Sequence, residues 1–398
     1  MAVAVISQRL FRVLIWFAAV VLPATPGWAI TIAGGDPGTT DVVDTNSSDP
    51  NYLMADGVSM SGVVVIYIAG FGGCTGALLG DGTSILTAGH CVLPTNGVPV
   101  PPSAITIYFQ GPGGLNVSNP YTATSIAVDP GFNGNNNTSG QDLAVIQLNA
   151  LAPASATEYQ LDMEPAALGT NTVLDGYGIG GTGVSGDCPT QTVDSNNQPI
   201  PPCPVAYPFG TLRAGENDFG VLGNQDGLGW SSNLLVGQFY DSGDSATNAL
   251  NCLSSNIFGC TSNPYSPSDE VDLSFGDSGG PAFQMVDGVP EIVGVNDLIG
   301  CEGTATICNT PPSEYSTTID SSFGQLYAAT SVLGYRDENL NFIEAQIAPE
   351  PSTLSLMLGA LLASLLLRMR WLRMRRMEST PAEISPRQRR ALRWPDRG

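Results

Sequence analysis

Three short stretches of the sequence carry side chains that together could catalyse acyl transfer. His90 follows the apolar run 85–88, Asp142 opens the apolar run 143–148, and Ser278 lies in the glycine-rich hexapeptide 276–281. A serine hydroxyl is a weak nucleophile that needs a base within hydrogen-bonding reach, and histidine is the commonest such base. Taken singly, a histidine beside a cysteine is more often structural, and an aspartate at a strand start is more often a turn residue. The hexapeptide is the most specific of the three.

Strands must position these side chains, because the surrounding sequence has the pattern of a β protein. Between 58 and 332, short runs rich in Val, Ile and Leu are separated by Gly, Pro, Asn and Asp. This pattern favours an all-β sandwich or barrel. A helix is predicted near 322–332, a leading segment over 30–57 and a long loop over 185–208. Strands are predicted over 62–68, 76–79, 84–87, 104–109, 143–148, 172–174 and 291–295.

The charged residues are distributed unevenly and exclude two classes of function. All 14 basic residues of the 398-residue chain are arginine, and residues 30–348 hold two of them against 32 of the 36 acidic residues. A body this acidic cannot offer the basic face that nucleic acids require. His90 is the single histidine, which excludes a zinc site built from several histidines.

The two ends of the chain have the composition of targeting segments. Residues 1–29 are predicted to be a secretory signal peptide, with Arg9 and Arg12 ahead of the apolar stretch 13–22 and small residues before a cleavage point at Ala29. An uncleaved anchor is the alternative. Near the other end, the uncharged apolar stretch 353–367 precedes five arginines within 368–376. Such a stretch could span a membrane with its arginines in the cytoplasm, which would leave the acidic body outside.

Eight cysteines support the prediction of export, since an even number of cysteines in an exported chain suggests disulfides. Eight cysteines allow 105 pairings, so spacing alone leaves the connectivity open. Sequence neighbours suggest the local pairs 188–203, 252–260 and 301–308. The cysteines are Cys74, Cys91, Cys188, Cys203, Cys252, Cys260, Cys301 and Cys308.

The three stretches, in the order His, Asp, Ser, resemble the chymotrypsin/trypsin-like serine peptidases. The likeness covers about 60–332 and extends to the Gly-Tyr-Gly turn at 176–178, to residues 312–315, which resemble the late strand of the specificity pocket, and to the Cys74 and Cys91 spacing. The resemblance implies two six-stranded antiparallel β-barrels with the site between them and a disulfide from Cys74 to Cys91. It implies protein or peptide substrates and no cofactor or metal.

The resemblance also implies a role for each residue of the site. His90 would be the general base and then the general acid, Asp142 would orient the imidazole, and Ser278 would attack the peptide carbonyl. The backbone N–H groups of Gly276 and Ser278 would form the oxyanion hole.

Two further acids have counterparts in that family. Asp277 would pair with a new N-terminal ammonium, and residues 32–35 resemble the family's mature start, although Thr31 precedes them and the distance to His90 is longer than usual. Arg213 is an alternative partner for Asp277. Asp272, six residues before Ser278, matches the acid that selects Arg or Lys, although Ser274 and Ser313 depart from the pattern of that pocket.

Residues 349–376 resemble the PEP-CTERM sorting signal of Gram-negative bacteria, although some 22 residues follow the arginine cluster. This resemblance implies processing by an exosortase, in addition to signal peptidase, and release to the cell surface or beyond. A plain stop-transfer anchor is the alternative. The predicted organisation is therefore a signal peptide (1–29), a leading segment or propeptide (30–57), a peptidase domain (58–335), a linker (336–348), the sorting signal with a transmembrane helix (349–376) and a cytoplasmic tail (377–398).

The main prediction is an exported serine endopeptidase. A catalytically inactive surface or adhesion protein on the same fold is the alternative. Acidic loops such as 241–244 could also bind calcium.

Overall fold

The fold is described from a computed structural model, which describes residues 31–32, 54–55, 57–94, 97–111, 114–181, 183, 209–225, 228–239, 270–300, 321, 325–347, 361–364 and 368. The strands in chain order are β1 (Thr31–Ile32), β2 (Met54–Ala55), β3 (Val58–Ser59), β4 (Val63–Ile68), β5 (Gly72–Leu78), β6 (Ser84–Thr87), β7 (Ile105–Gly111), β8 (Gly114–Leu115), β9 (Tyr121–Val128), β10 (Ala144–Leu148), β11 (Gln160–Leu161), β12 (Asn171–Gly176), β13 (Arg213–Asp218), β14 (Val221–Leu222), β15 (Leu234–Gln238), β16 (Val271–Asp272), β17 (Pro281–Val286), β18 (Val289–Gly300) and β19 (Leu326–Ser331).

The first half of the body is a closed barrel of six strands. The order β4-β5-β6-β10-β9-β7 returns to its start because β7 also pairs with β4, with Val64 opposite Phe109, while β8 extends β7 at one edge. All its pairings are antiparallel. Valine, isoleucine and leucine side chains fill the interior, and Ile66, Ile107 and Ile146 are fully buried. The first two types are β-branched and pack well on a pleated surface. The predicted first barrel is confirmed.

The second half is a half-barrel within the described residues. Its strands follow the order β13-β12-β17-β18-β19-β15-β14, with β11 alongside β18. Leu174, Phe219 and Tyr327 lie in its core. The predicted second six-stranded barrel is therefore seen as a mostly antiparallel sheet of eight strands that does not close among these residues.

One prediction about this half is wrong, because a strand occupies the region near 322–332 where a helix was expected. Residues 326–331 form β19, which pairs with β15 on one side and β18 on the other. The short helix lies later in the chain, as α2 (Glu338–Gln346), inside the range predicted to be a linker. Its Leu340 and Ile343 are buried. The remaining α-helix of this body, among the residues described, is the single turn α1 (Gly89–Val92). Three-residue 3₁₀ turns lie at Pro102–Ala104, Asn137–Ser139 and Tyr335–Asp337.

Residues 349–398 form a unit of their own. Within it, 361–364 are helical. No helix among the described residues is both long and apolar enough to cross a membrane. The signal peptide, most of the sorting signal, the tail, residues 312–315, the loop 241–244 and six of the cysteines lie outside the described residues; these cysteines are Cys188, Cys203, Cys252, Cys260, Cys301 and Cys308.

Candidate functional site

His90 lies on the turn α1, just beyond the end of β6. A disulfide joins Cys91 of this turn to Cys74 of β5, with Cα atoms 6.2 Å apart. The disulfide fixes α1 to the first barrel, because Cys74 belongs to β5, a strand of that barrel that pairs with β6. The predicted Cys74–Cys91 disulfide is confirmed.

Asp142 holds His90 by two hydrogen bonds. Asp142 lies two residues before β10, and His90 lies three residues after β6. Because β10 pairs with β6, the barrel brings Asp142 and His90 together. The backbone N–H of His90 donates to Asp142 Oδ1 at 2.6 Å, and His90 Nδ1 lies 2.6 Å from Asp142 Oδ2. Asp142 is fully buried, whereas the His90 side chain is 25% exposed. With Nδ1 donating to the carboxylate, Nε2 is left as the basic nitrogen.

The two groups shift each other's ionisation. Burial lowers the pKa of His90, but the charge of Asp142 and the hydrogen bond to it raise that pKa by more, so it lies above its ordinary value. Burial raises the pKa of Asp142, but the charge of His90 and hydrogen bonds from His90 and Asp297 lower it below the ordinary value. Asp142 is therefore an anion at neutral pH, and it stabilises the imidazolium form of His90.

Ser278 lies in a tight loop between β16 and β17. Gly276 adopts a φ of +100°, which a residue with a side chain rarely does. Asp277, which is fully buried, accepts hydrogen bonds from the N–H groups of Gly178 at 2.7 Å and Ser274 at 2.8 Å. Within the described part of the chain, neither the Gly276 nor the Ser278 N–H donates to a protein group. These two N–H groups can therefore serve a ligand oxygen.

Thr75, on β5 of the first barrel, donates two hydrogen bonds to the backbone of the loop that contains Ser278. Its N–H donates to the Ser278 carbonyl at 2.9 Å, and its hydroxyl donates to the Gly276 carbonyl at 2.9 Å. The same hydroxyl accepts a hydrogen bond from the N–H of Tyr177. Sequence reasoning missed Thr75, since nothing marks it except its position beside Cys74.

His90 and Ser278 line one cavity of about 300 Å³. Its described walls include the apolar side chains of Leu273, Leu298 and Ile299. The cavity combines apolar side chains with a few polar ones, a composition that is common in small-ligand sites.

Asp272 is not among the residues that line this cavity. It is fully buried in β16, where its Oδ1 accepts a hydrogen bond from the N–H of Leu273 at 2.7 Å. Its strand partner is Thr31 of β1, and Ile32 pairs with Val271. Residues 301–320, which include the predicted late strand of the pocket, lie outside the described residues.

Asp297 is a residue of the site that the sequence analysis missed. The ladder between β18 and β19 shifts register between Asn296 and Leu298, so Asp297 lies at an irregularity of the strand. It is buried, it lines the cavity, and its Oδ1 lies 3.9 Å from His90 Nδ1. The signal in the sequence was an acid two residues after the apolar run 291–295.

Comparison with known proteins gives one family. Residues 57–201 match the family model of trypsin, a match that covers less than half of the chain. The matched segment contains the first barrel with His90 and Asp142, whereas Ser278 lies beyond it. No curated protein matches the chain. The family match supports a trypsin-like serine peptidase.

Proposed function

We propose that this protein is an exported serine endopeptidase in which His90, Asp142 and Ser278 form the catalytic triad. The observation that carries the proposal is the pair of 2.6 Å hydrogen bonds between His90 and Asp142 at the edge of the cavity that Ser278 also lines. The trypsin match over the segment that supplies His90 and Asp142 supports the same conclusion.

The proposed reaction begins with a peptide whose scissile carbonyl carbon lies against Ser278. Oγ of Ser278 attacks that carbon as Nε2 of His90 takes the hydroxyl proton, and the negative charge on the carbonyl oxygen is met by the N–H groups of Gly276 and Ser278. His90 then gives its proton to the leaving amine, which leaves an acyl-enzyme. Water completes the cycle by the same proton transfers in reverse.

A fluorophosphonate probe tests this proposal, because it labels a serine only where the hydroxyl is activated. Wild type should be labelled and Ser278→Ala should not, while Ser139→Ala, outside the cavity, serves as the matched control and should be labelled fully. Absence of labelling in folded wild-type protein would reject the peptidase and favour an inactive surface protein.

The preference for Arg or Lys rests on the sequence position of Asp272, which is not among the described residues that line the cavity. Leu273, Leu298 and Ile299 give that cavity apolar side chains as well. A peptide library distinguishes the two possibilities. Cleavage after Arg and Lys that disappears in Asp272→Ser supports the preference; cleavage after apolar residues, unchanged in Asp272→Ser, rejects it.

Export and processing complete the proposal. Removal of both ends is supported by the composition of the leader at 1–29 and of the apolar, arginine-flanked stretch at 353–376. The acidic body would then be released at the cell surface. Mass spectrometry of the mature protein tests this. A new N-terminus at Ile32 would support insertion of its ammonium toward Asp277, and any other start rejects that step.

A further inference from the structure

Asp297 places a second carboxyl group directly against the carboxylate that orients His90. One carboxyl oxygen of each acid and a ring nitrogen of His90 lie within 4.8 Å of one another. Asp142 is 0% exposed and Asp297 is 4% exposed. Two buried carboxylates at this distance cannot both carry a charge without a large repulsion, so one of them has to hold a proton.

The donors around the two acids indicate which of them is protonated. Asp142 accepts two hydrogen bonds from His90, one from the backbone and one from the ring, and both favour its anion. Asp297 accepts one, from the hydroxyl of Thr330 to Oδ2 at 2.8 Å. Its Oδ1 is buried and has no donor among the described residues. Protonated at Oδ1, Asp297 can donate to Asp142.

The charges that face Asp297 agree with this assignment. In the described part of the chain, the titratable groups next to it are Asp142, in the segment before β10, and His90 on α1; β19 contributes the neutral Thr330. Burial raises the pKa of Asp297 far above its ordinary value, and the charge of Asp142 and the hydrogen bond with it raise it further.

We propose that Asp297 is a positioning residue that keeps a proton at neutral pH and uses it to donate a hydrogen bond to Asp142. Asp142 then receives a third hydrogen bond, which stabilises its ionised form and fixes the plane of its carboxylate. Because Asp297 is neutral, it adds this hydrogen bond without adding a second negative charge beside His90. The catalytic meaning of the arrangement rests on the proposed peptidase function, but the location of the proton does not.

The single histidine makes the proton measurable without any assay of activity. In full-length protein labelled with ¹⁵N-histidine, the imidazole signals come from His90 alone. A negative charge on Asp297, whose Oδ1 lies 3.9 Å from His90 Nδ1, would raise the pKa of His90 by roughly two to three units at the effective dielectric of a protein. We therefore compare the His90 pKa of wild type with that of Asp297→Asn, which has the same shape and cannot ionise.

If Asp297 is neutral, the two pKa values of His90 agree within about one unit. A fall of about two units or more in Asp297→Asn would mean that Asp297 is an anion, and it would overturn the proposal. Asp297→Ser, a smaller neutral donor, provides the same comparison if the asparagine variant does not fold.

Activity distinguishes a donor from a mere space-filling residue. Asp297→Asn keeps an N–H donor toward Asp142, whereas Asp297→Leu has a similar size and none. We expect the leucine variant to lose about a hundredfold in kcat/KM and the asparagine variant less than about tenfold. Equal losses in the two variants would reject the role of the donor. Should wild type fail to react with fluorophosphonate, the peptidase proposal fails alone, because the His90 titration still reports where the proton lies.

Discussion

Replacing Thr75 with valine tests whether the first barrel holds the loop of Ser278 in its active form. Valine has nearly the shape of threonine and leaves the backbone hydrogen bond from residue 75 to the Ser278 carbonyl intact. It removes the hydroxyl that lies 2.9 Å from the Gly276 carbonyl and 3.0 Å from the Tyr177 N–H. The variant therefore changes two hydrogen bonds and little else.

The size of the effect follows from what the hydroxyl leaves behind. Thr75 is fully buried and the Tyr177 N–H bond is a buried one, so water cannot readily replace the lost partner. Each hydrogen bond contributes about 1 kcal/mol net, and each buried group left without a partner costs about 1–3 kcal/mol. We expect Thr75→Val to lower the free energy of unfolding by about 2–4 kcal/mol. Thr75→Ser keeps the hydroxyl and should cost only about 1 kcal/mol, for the buried methyl group.

Urea unfolding and steady-state kinetics together measure the effect. With the m-value unchanged, the midpoint of Thr75→Val should fall well below that of Thr75→Ser. Since the Gly276 carbonyl belongs to the segment that carries both proposed oxyanion donors, kcat should fall about tenfold with a smaller change in KM. If the valine and serine variants have equal midpoints and equal kcat, the hydroxyl does not position the loop and the reasoning is refuted.

Three further predictions follow from charges and from glycines. The pKa of His90 lies above its ordinary 6.5 because of Asp142, so the acid limb of kcat/KM in wild type should lie above pH 6.5 and should move to lower pH in Asp142→Asn, together with a large loss of kcat; an unmoved limb contradicts this. Gly279→Ala places a Cβ on top of neighbouring oxygen atoms, whereas Gly288→Ala at a similar positive φ meets nothing within 4 Å; thermal unfolding should show a loss of at least about 2 kcal/mol more at the first position, and equal losses would disprove the clash. Burial and the charge of Asp277 raise the pKa of Asp175 well above 3.8, so its contribution to stability is complete below that value and is lost as the pH rises through the folded-state pKa; the stability of Asp175→Asn relative to wild type should rise with pH, and parallel curves would argue against the shift.

The sequence predicts the parts of the site that depend on local motifs. His90 and Asp142 each lie at an end of an apolar run, and the pairing of those runs in one barrel brings the two residues together as expected. The Cys74–Cys91 bridge is likewise predicted by the family resemblance. These features could be predicted because each residue lies only a few positions from a strand that the sequence pattern indicates.

Asp297 could not be predicted in this way because its orientation depends on a break in the strand. Alternation along β18 assigns residues to two faces with a period of two, and the register shift beside Asp297 interrupts that period. The pattern therefore does not reveal that its carboxyl group meets Asp142.

The prediction of a helix near 322–332 was wrong for a different reason. Ala328 and Ala329 favour a helix by intrinsic propensity. In the folded chain they lie between β15 and β18 and form hydrogen-bonded ladders with both. Long-range pairing of this kind overrides a weak local preference.

The contacts of Thr75 also have a consequence for the order of folding. The first barrel closes among residues 63–148, whereas the loop of Ser278 is more than a hundred residues away in the chain and is held by Thr75 only when the two halves dock. Contacts of such long sequence separation form late. Under the proposed peptidase function, the first barrel should therefore form before the site can cut a peptide. The chain and its neighbours would then not meet this activity while the chain is still folding.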